Sequence, residues 1–182
     1  TIDGTRIGLH VNVGLPADMP AALESGAEGV GLYRTEFTFM TRNTFPGEEE
    51  QYRMYRRVLM VFAPKPVSIR VLDIGGDKVL PYFHTTEENP ALGWRGIRVI
   101  LDHPEIFLTQ LRALLRANAG LNNLRVLLPM VTRMSEVNDA MDLLDRAHSE
   151  LLQERQACAK PLVGVMIETP AAVYQTDALA RR

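Results

Sequence analysis

The sequence predicts an α/β chain, read as about the first five βα units of an incomplete (β/α)8 TIM barrel. Short β-branched runs alternate with helical apolar patterns five times over, and that alternation implies parallel strands joined by right-handed helical crossovers. The chain has 182 residues, whereas a closed eight-unit barrel takes about 250. An open nucleotide-binding sheet would carry a Gly-rich phosphate loop after its first strand, and Asn12-Val13-Gly14-Leu15-Pro16 has no such fingerprint. Residues 1–182 are therefore expected to be the N-terminal part of one barrel domain, truncated at the C-terminus.

Each element has its own signal. Ile7, Leu9, Val11 and Val13 alternate with small or polar residues and predict a first strand over Arg6–Val13, with Asn12 near its end as a turn-bonding or site residue. Pro16–Ser25 reads as a short helix with Asp18 as cap and Gly26 beyond its end. A second strand over Gly29–Tyr33 runs into Arg34-Thr35-Glu36-Phe37, and its two glycines point to close packing or a nearby ligand. Glu48, Glu49 and Glu50 open a helix, where carboxylates complement the macrodipole; Tyr52, Tyr55, Leu59 and Phe62 form its apolar face and Arg53, Arg56 and Arg57 a solvated one.

The third strand, Val67–Leu72, delivers Arg70 and Asp73 into the loop Ile74-Gly75-Gly76-Asp77-Lys78. Residues 81–90 form a polar, turn-rich loop, and a helix is expected to start around Trp94. A further helix follows Pro104, a fourth strand spans Leu124–Leu128, and Ser135 is placed as cap of a helix carrying Val137, Met141, Leu144, His148 and Leu151. A fifth strand over Leu162–Ile167 ends on Glu168, and Thr169-Pro170 open the next helix.

Composition narrows the function. A formal net charge of −2 and a pI of about 6.1 argue against a nucleic-acid partner. No apolar run reaches the length of a membrane span and no secretory pattern opens the chain. The single Cys158 permits no internal disulfide, which fits a reducing, cytoplasmic location. The chain starts at Thr1 and stops shortly after a helix begins, so it is expected to be a piece of a longer protein.

In a barrel, the C-terminal strand ends line the mouth where chemistry occurs. Arg34, Arg70 with Asp73 and Lys78, and Glu168 fall there. Arginine forks suit phosphate and carboxylate, and a carboxylate beside a bound anion suits Mg²⁺. Each residue also has a plainer role open to it. Arg34 can pair with Glu36 or Glu48, Arg70 with Asp73, Glu168 can cap the helix after it, and Arg95 can sit on a helix surface near Glu87 or Glu88.

On these residues the sequence resembles enzyme I of the phosphoenolpyruvate-dependent phosphotransferase system, in its C-terminal phosphoenolpyruvate-binding barrel. The blocks are Gly31-Leu32-Tyr33-Arg34-Thr35-Glu36-Phe37, Glu48-Glu49-Glu50-Gln51, Asp73-Ile74-Gly75-Gly76-Asp77-Lys78, Glu88-Asn89-Pro90-Ala91-Leu92-Gly93-Trp94-Arg95 and Ile167-Glu168-Thr169-Pro170-Ala171. Tyr33 and residues 90–96 resemble the nitrogen-regulatory paralogue more than the sugar-transport enzyme. The resemblance implies that Arg34 and Arg70 hold the phosphoryl group, that Arg95 lines the same site and that Glu168 is one of two acidic Mg²⁺ ligands. It also implies transfer to a histidine in a separate domain, then to a histidine-containing phosphocarrier protein, in a homodimeric cytoplasmic parent.

The family's second metal acid and its proton-donating cysteine belong beyond Arg182. Cys158 does not match that cysteine, and His10, His84, His103 and His148 do not match the phosphohistidine motif. No catalytic residue is thus assigned within the chain, which is expected to be inactive alone. The alternatives are a Mg²⁺-dependent lyase barrel acting on 2-oxo acids or acyl-coenzyme A thioesters, and a non-catalytic module that associates through an open sheet edge.

Overall fold

The computed structural model describes residues 1–76, 78, 80–83 and 93–182. Five strands, β1 (Val11–Val13), β2 (Val30–Arg34), β3 (Val67–Arg70), β4 (Leu124–Leu128) and β5 (Leu162–Val165), form one sheet in sequence order. Every pairing is parallel. The helices are α1 (Met19–Glu24), α2 (Glu36–Met40), α3 (Glu48–Phe62), α4 (Ile97–Asp102), α5 (Pro104–Asn118), α6 (Met134–Gln153), α7 (Pro170–Tyr174) and α8 (Thr176–Ala180).

Strand alternation sorts the side chains. Val67 and Ile69 of β3 and Leu124, Val126 and Leu128 of β4 are buried, while the intervening Arg125 is exposed. Val126, Leu128 and Val163 of the sheet face Phe107 and Leu111 of α5 and Ala140 and Leu144 of α6. Helices α3, α5 and α6 form a layer over this face, and α3 contributes Tyr55, Val58, Leu59 and Phe62 to a continuous core.

A buried polar chain runs through that core to the end of β3. Gln51 donates to the Pro46 carbonyl (2.8 Å), Tyr55 donates to Gln51 (3.1 Å), and Gln110 donates to the Tyr55 hydroxyl (2.9 Å). Gln110 Oε1 then accepts the Leu72 N–H at 2.9 Å, one residue before Asp73. Burial pushes the Tyr55 phenol pKa upward, so the hydroxyl stays a donor throughout the ordinary pH range.

The structure corrects several sequence expectations. The first strand shrinks from Arg6–Val13 to β1, because Ile7 and Leu9 are exposed and have no core to enter. The segment 16–25 divides into a 3-10 turn, Pro16–Asp18, and α1; the Asp18 carboxylate accepts the Leu15 N–H and so stabilises the turn rather than α1. The third strand stops at Arg70, and the helix expected near Trp94 begins at Ile97. Ser135 lies inside α6 and does not cap it. Glu136 reaches back to the Thr132 N–H (2.6 Å), the Thr132 hydroxyl (2.9 Å) and the Arg133 N–H (3.0 Å). Gly26, at φ +75°, ends α1 as expected. His84 and the block from Glu88 to Leu92 lie outside the described residues.

The Gln110 chain gives a direct test. Replacing Gln110 with Leu leaves the Leu72 N–H buried without its acceptor, a cost of about 1–3 kcal/mol. The expected result in urea titration is a lowered midpoint with an unchanged slope.

Candidate functional site

The site grows from two strand ends. Arg34 is the last residue of β2 and Arg70 the last of β3, and the two are Cα partners in the parallel ladder. Neighbouring residues in register point to the same side of a sheet, so two guanidiniums leave its C-terminal edge side by side. Like charges so placed require counter-charge.

Arg34 receives little from side-chain carboxylates. Its guanidinium carbon lies 4.5 Å from the centre of the Phe37 ring, a cation–π contact with the first turn of α2. Gly14 makes the room: a Cβ there would come to 2.9 Å of Arg34 Nη2 and 3.0 Å of the Phe37 ring. Neither expected partner pairs with it, since Glu36 binds Arg70 and Glu48 binds Arg112 and Arg116. Arg34 Nε is buried without a hydrogen-bond partner among the described residues.

Arg70 is far more enclosed, at 6% exposure. Its Nη2 lies 2.5 Å from Glu36 Oε1 and its Nη1 3.4 Å from Asp73 Oδ2. Lys78 Nζ joins the same two acids, at 2.6 Å from Asp73 and 3.3 Å from Glu36, and Arg95 Nε lies 3.5 Å from Asp73 Oδ1. Arg95 is thereby drawn into the cluster through Asp73. Glu36 and Asp73 are each only 1% exposed. Buried carboxylates persist as ions only when closely paired, and both are.

The loop is shaped to allow this. Gly75 and Gly76 take φ of +110° and +67°, and Gly75 and Lys78 exchange backbone hydrogen bonds of 3.1 and 3.2 Å, which turn the chain back over Asp73. A Cβ at Gly75 would meet the Trp94 carbonyl at 2.8 Å, and one at Gly96 would meet Met130 at 2.9 Å and Asp73 Oδ1 at 3.1 Å. Gly96 donates its N–H to the Ile74 carbonyl at 3.0 Å, fixing Arg95 beside the loop. Phe83 packs between Phe45, 5.6 Å away, and Trp94, 5.9 Å away, and holds the two flanks of the loop together.

Glu168 lies beyond β5 and is exposed. It does not cap α7: Thr169 does, accepting the Ala172 N–H at 3.2 Å while donating to the Val131 carbonyl at 2.7 Å. Glu168 Oε1 accepts the Met130 N–H at 2.7 Å, which orients the carboxylate. As an accessible oxygen donor it suits Mg²⁺. Among the described residues no group of three His, Cys, Asp or Glu comes together, so its contribution to such a site would be a single ligand. Cys158 is half-buried and packs against the core away from these residues, with burial raising its thiol pKa.

Sequence reasoning named Arg34, Arg70, Arg95 and Glu168 as site residues and offered Glu36 only as a structural partner of Arg34, whereas it pairs with Arg70. Its signal was available: an acid two residues after the strand-end arginine, in a stretch otherwise apolar. Among the described residues, Arg70, Lys78 and Arg95 meet the buried acids Glu36 and Asp73, and Arg34 stands beside Arg70 in the ladder at the end of the sheet. Converging guanidiniums of this kind are chemically suited to a compact, multiply charged anion.

With this cluster placed at the end of a parallel α/β sheet, comparison with known proteins says to which class the chain belongs. A family model described as PEP-utilising enzyme, PEP-binding domain, matches residues 1–182, and the chain belongs to that family. It is 49% identical over 180 residues to the "Phosphoenolpyruvate-dependent phosphotransferase system" protein of Escherichia coli K12, covering 98% of this chain and 24% of that protein. It is 46% identical over 183 residues to the phosphoenolpyruvate-protein phosphotransferase of Staphylococcus carnosus, covering 100% of this chain and 32% of that one. With the enzyme of the same name from Bacillus subtilis strain 168 it shares 44% identity over 181 residues, covering 98% and 32%. The chain thus spans about a quarter to a third of the length of these curated relatives. Among the described residues no helix is long and apolar enough to cross a membrane.

Burial raises the Asp73 pKa, but Lys78, Arg70 and Arg95 together outweigh burial and hold it below its ordinary value of 3.8. A depressed carboxylate pKa contributes stability that is complete above the unfolded value and is lost as pH falls through the folded one. The stability gap between wild type and Asp73→Asn is therefore expected to be constant above about pH 5 and to shrink below about pH 4. Urea titrations of both proteins from about pH 2 to about pH 7 check it.

Proposed function

We propose that the chain is the N-terminal part of the phosphoenolpyruvate-binding barrel of a phosphoenolpyruvate-protein phosphotransferase. The parent would move the phosphoryl group of phosphoenolpyruvate to a histidine in a separate domain and on to a phosphocarrier protein. The observation that carries this reading is the register-paired Arg34 and Arg70, with Lys78 and Arg95 beside them, at the C-terminal edge of the sheet. Family membership and the named relatives support the substrate. The sequential strand order, with no reversal of winding, supports a barrel over a doubly wound sheet.

In this reading Arg34 and Arg70 take the phosphoryl oxygens. Phosphoryl transfer needs positioning and charge stabilisation above all, and two fixed guanidiniums supply both. Arg95 and Lys78, tethered to Asp73, would add positive potential as charge develops on the leaving enolate. Glu168 would hold Mg²⁺, which when bound neutralises phosphoryl and carboxylate oxygens. The acceptor histidine, the other metal ligand and the proton donor would come from outside residues 1–182, so the chain by itself would not turn over. The parent would act in the cytoplasm as a homodimer.

A second reading, association through an open edge, is favoured for the isolated chain by apolar exposure along the β5 side. Leu162 is 72% exposed and Tyr174 90%. Light scattering on the 182-residue chain separates the two: a concentration-independent monomer removes the second reading.

The main reading is tested by calorimetry of phosphoenolpyruvate with Mg²⁺, using a protein extended to the relatives' full length. Arg70→Ala is expected to weaken binding by about 30-fold or more, equivalent to about 2 kcal/mol. Equal affinity in the variant, or no binding by the wild type, would sink the assignment.

A further inference from the structure

The cations of the site have roles in the reading above, but Glu36, as enclosed as Asp73, has none. Glu36 is the first residue of α2 and is 1% exposed. Its Oε1 is shared between Arg70 Nη2, at 2.5 Å, and Lys78 Nζ, at 3.3 Å. Its Oε2 is buried with no hydrogen-bond partner among the described residues, and so is Arg70 Nε. The same short helix carries Phe37 under the Arg34 guanidinium, and Thr35 just before it donates to the Arg70 carbonyl at 3.0 Å. One turn of chain therefore grips both strand-end arginines, one through a ring and the other through a carboxylate.

A purely structural acid would be saturated. Glu136 shows what that looks like here: both its oxygens are engaged in closing the start of α6. Glu36 instead keeps one oxygen unbonded in a dry environment, which is unfavourable and calls for an explanation beyond packing. Stability does not supply one, because a buried Arg–Glu pair contributes little net stability over an apolar pair of similar volume. Orientation does. Arg70 Nη1 has only longer contacts, 3.4 Å to Asp73 Oδ2 and 3.9 Å to Met166 Sδ, so the 2.5 Å contact of Nη2 with Glu36 is the close one that sets the plane in which the guanidinium is presented.

We propose that Glu36 is a positioning residue: it orients the Arg70 fork for phosphoryl transfer and holds Lys78 next to it as a second cation. The proposal rests on the anion site described above and assigns to Glu36 the alignment of that site rather than its affinity. A neutral isostere should leave the cationic site able to attract a simple anion but unable to align a reacting phosphoryl group. Misplacement of about 1 Å at a transferring group costs on the order of 100-fold in rate.

The experiment uses the full-length parent protein with Glu36→Gln and Glu36→Asp. Three quantities are measured: inorganic phosphate binding by calorimetry, steady-state kcat and KM for phosphoenolpyruvate, and the thermal midpoint. For Glu36→Gln the expected result is phosphate affinity within about threefold of wild type, while kcat falls about 100-fold. Glu36→Asp, which keeps the charge, should recover about tenfold of that loss in kcat. A Glu36→Gln protein that folds with wild-type kcat overturns the proposal, as does one that loses phosphate binding and kcat in equal proportion. Should Glu36→Gln fail to fold, Glu36→Asp decides: unchanged kcat overturns the proposal, and a selective loss of kcat supports it. If the wild type binds neither phosphate nor phosphoenolpyruvate, the anion site itself is wrong, a failure visible before any variant is made.

Discussion

Arg70 held between two buried carboxylates is the interaction on which the rest of this structure depends. A guanidinium at 6% exposure cannot be tolerated without counter-charge. Glu36 supplies it from the element before β3 and Asp73 from the loop after it. Those acids are buried in turn and need more positive charge than Arg70 alone offers, which brings in Lys78 and Arg95. Each addition fixes another piece of backbone. The paired glycines of the loop, the left-handed Gly96 and the space at Gly14 are consequences of packing charged side chains at close quarters.

Charges held this tightly need a rigid support, and the helix layer provides it. Gln110 carries the order of α3 and α5 through a hydrogen bond to Leu72, adjacent to Asp73. On the outer side, Arg112 bridges Glu48, Glu150 and Glu154, and Arg116 bridges Glu48 and Glu49, tying α3, α5 and the end of α6 together. The individual exposed pairs are worth little, but a shared network resists sliding of the helices past one another. The scaffold and the site therefore use ion pairs differently: outside they restrain the helix layer, and at the strand ends they orient side chains.

The two uses were unequally legible in the sequence. β4 appears over Leu124–Leu128 as the apolar run indicated, and α3 begins at the three glutamates, since periodicity and end signals suffice where an element packs in the ordinary way. The strand-end arginines were legible for the same reason: once the strands are placed, so are their ends. What stayed hidden was pairing across the fold. Arg95 was read toward Glu87 or Glu88, which lie outside the described residues, and its contact with Asp73, twenty-two residues away, went unread. α2 is only five residues long and follows a strand directly, so no period could establish it. Glu36 was read toward Arg34, two residues away, because its actual partner, Arg70, lies thirty-four residues on and becomes a neighbour only when β2 and β3 pair. Ser135 misled because Glu136 closes the helix start with a longer reach than a serine has.

The placement of the charges also bears on the proposed site. Arg70, Lys78 and Arg95 meet two buried acids within one stretch of sheet and loop, with Arg34 beside them, so the cationic cluster is assembled by local geometry. Glu168 is turned toward the Met130 N–H at the end of the neighbouring loop. An anion with its own bound cation would complement both features, with its negative groups on the arginines and its metal toward Glu168. The acid that orders the arginines is inside the chain, and the chemistry that acts on the anion would arrive from elements that close over it. On the proposed reading, a site divided in this way would separate substrate alignment from catalysis, and Glu36's hold on Arg70 would belong to the alignment.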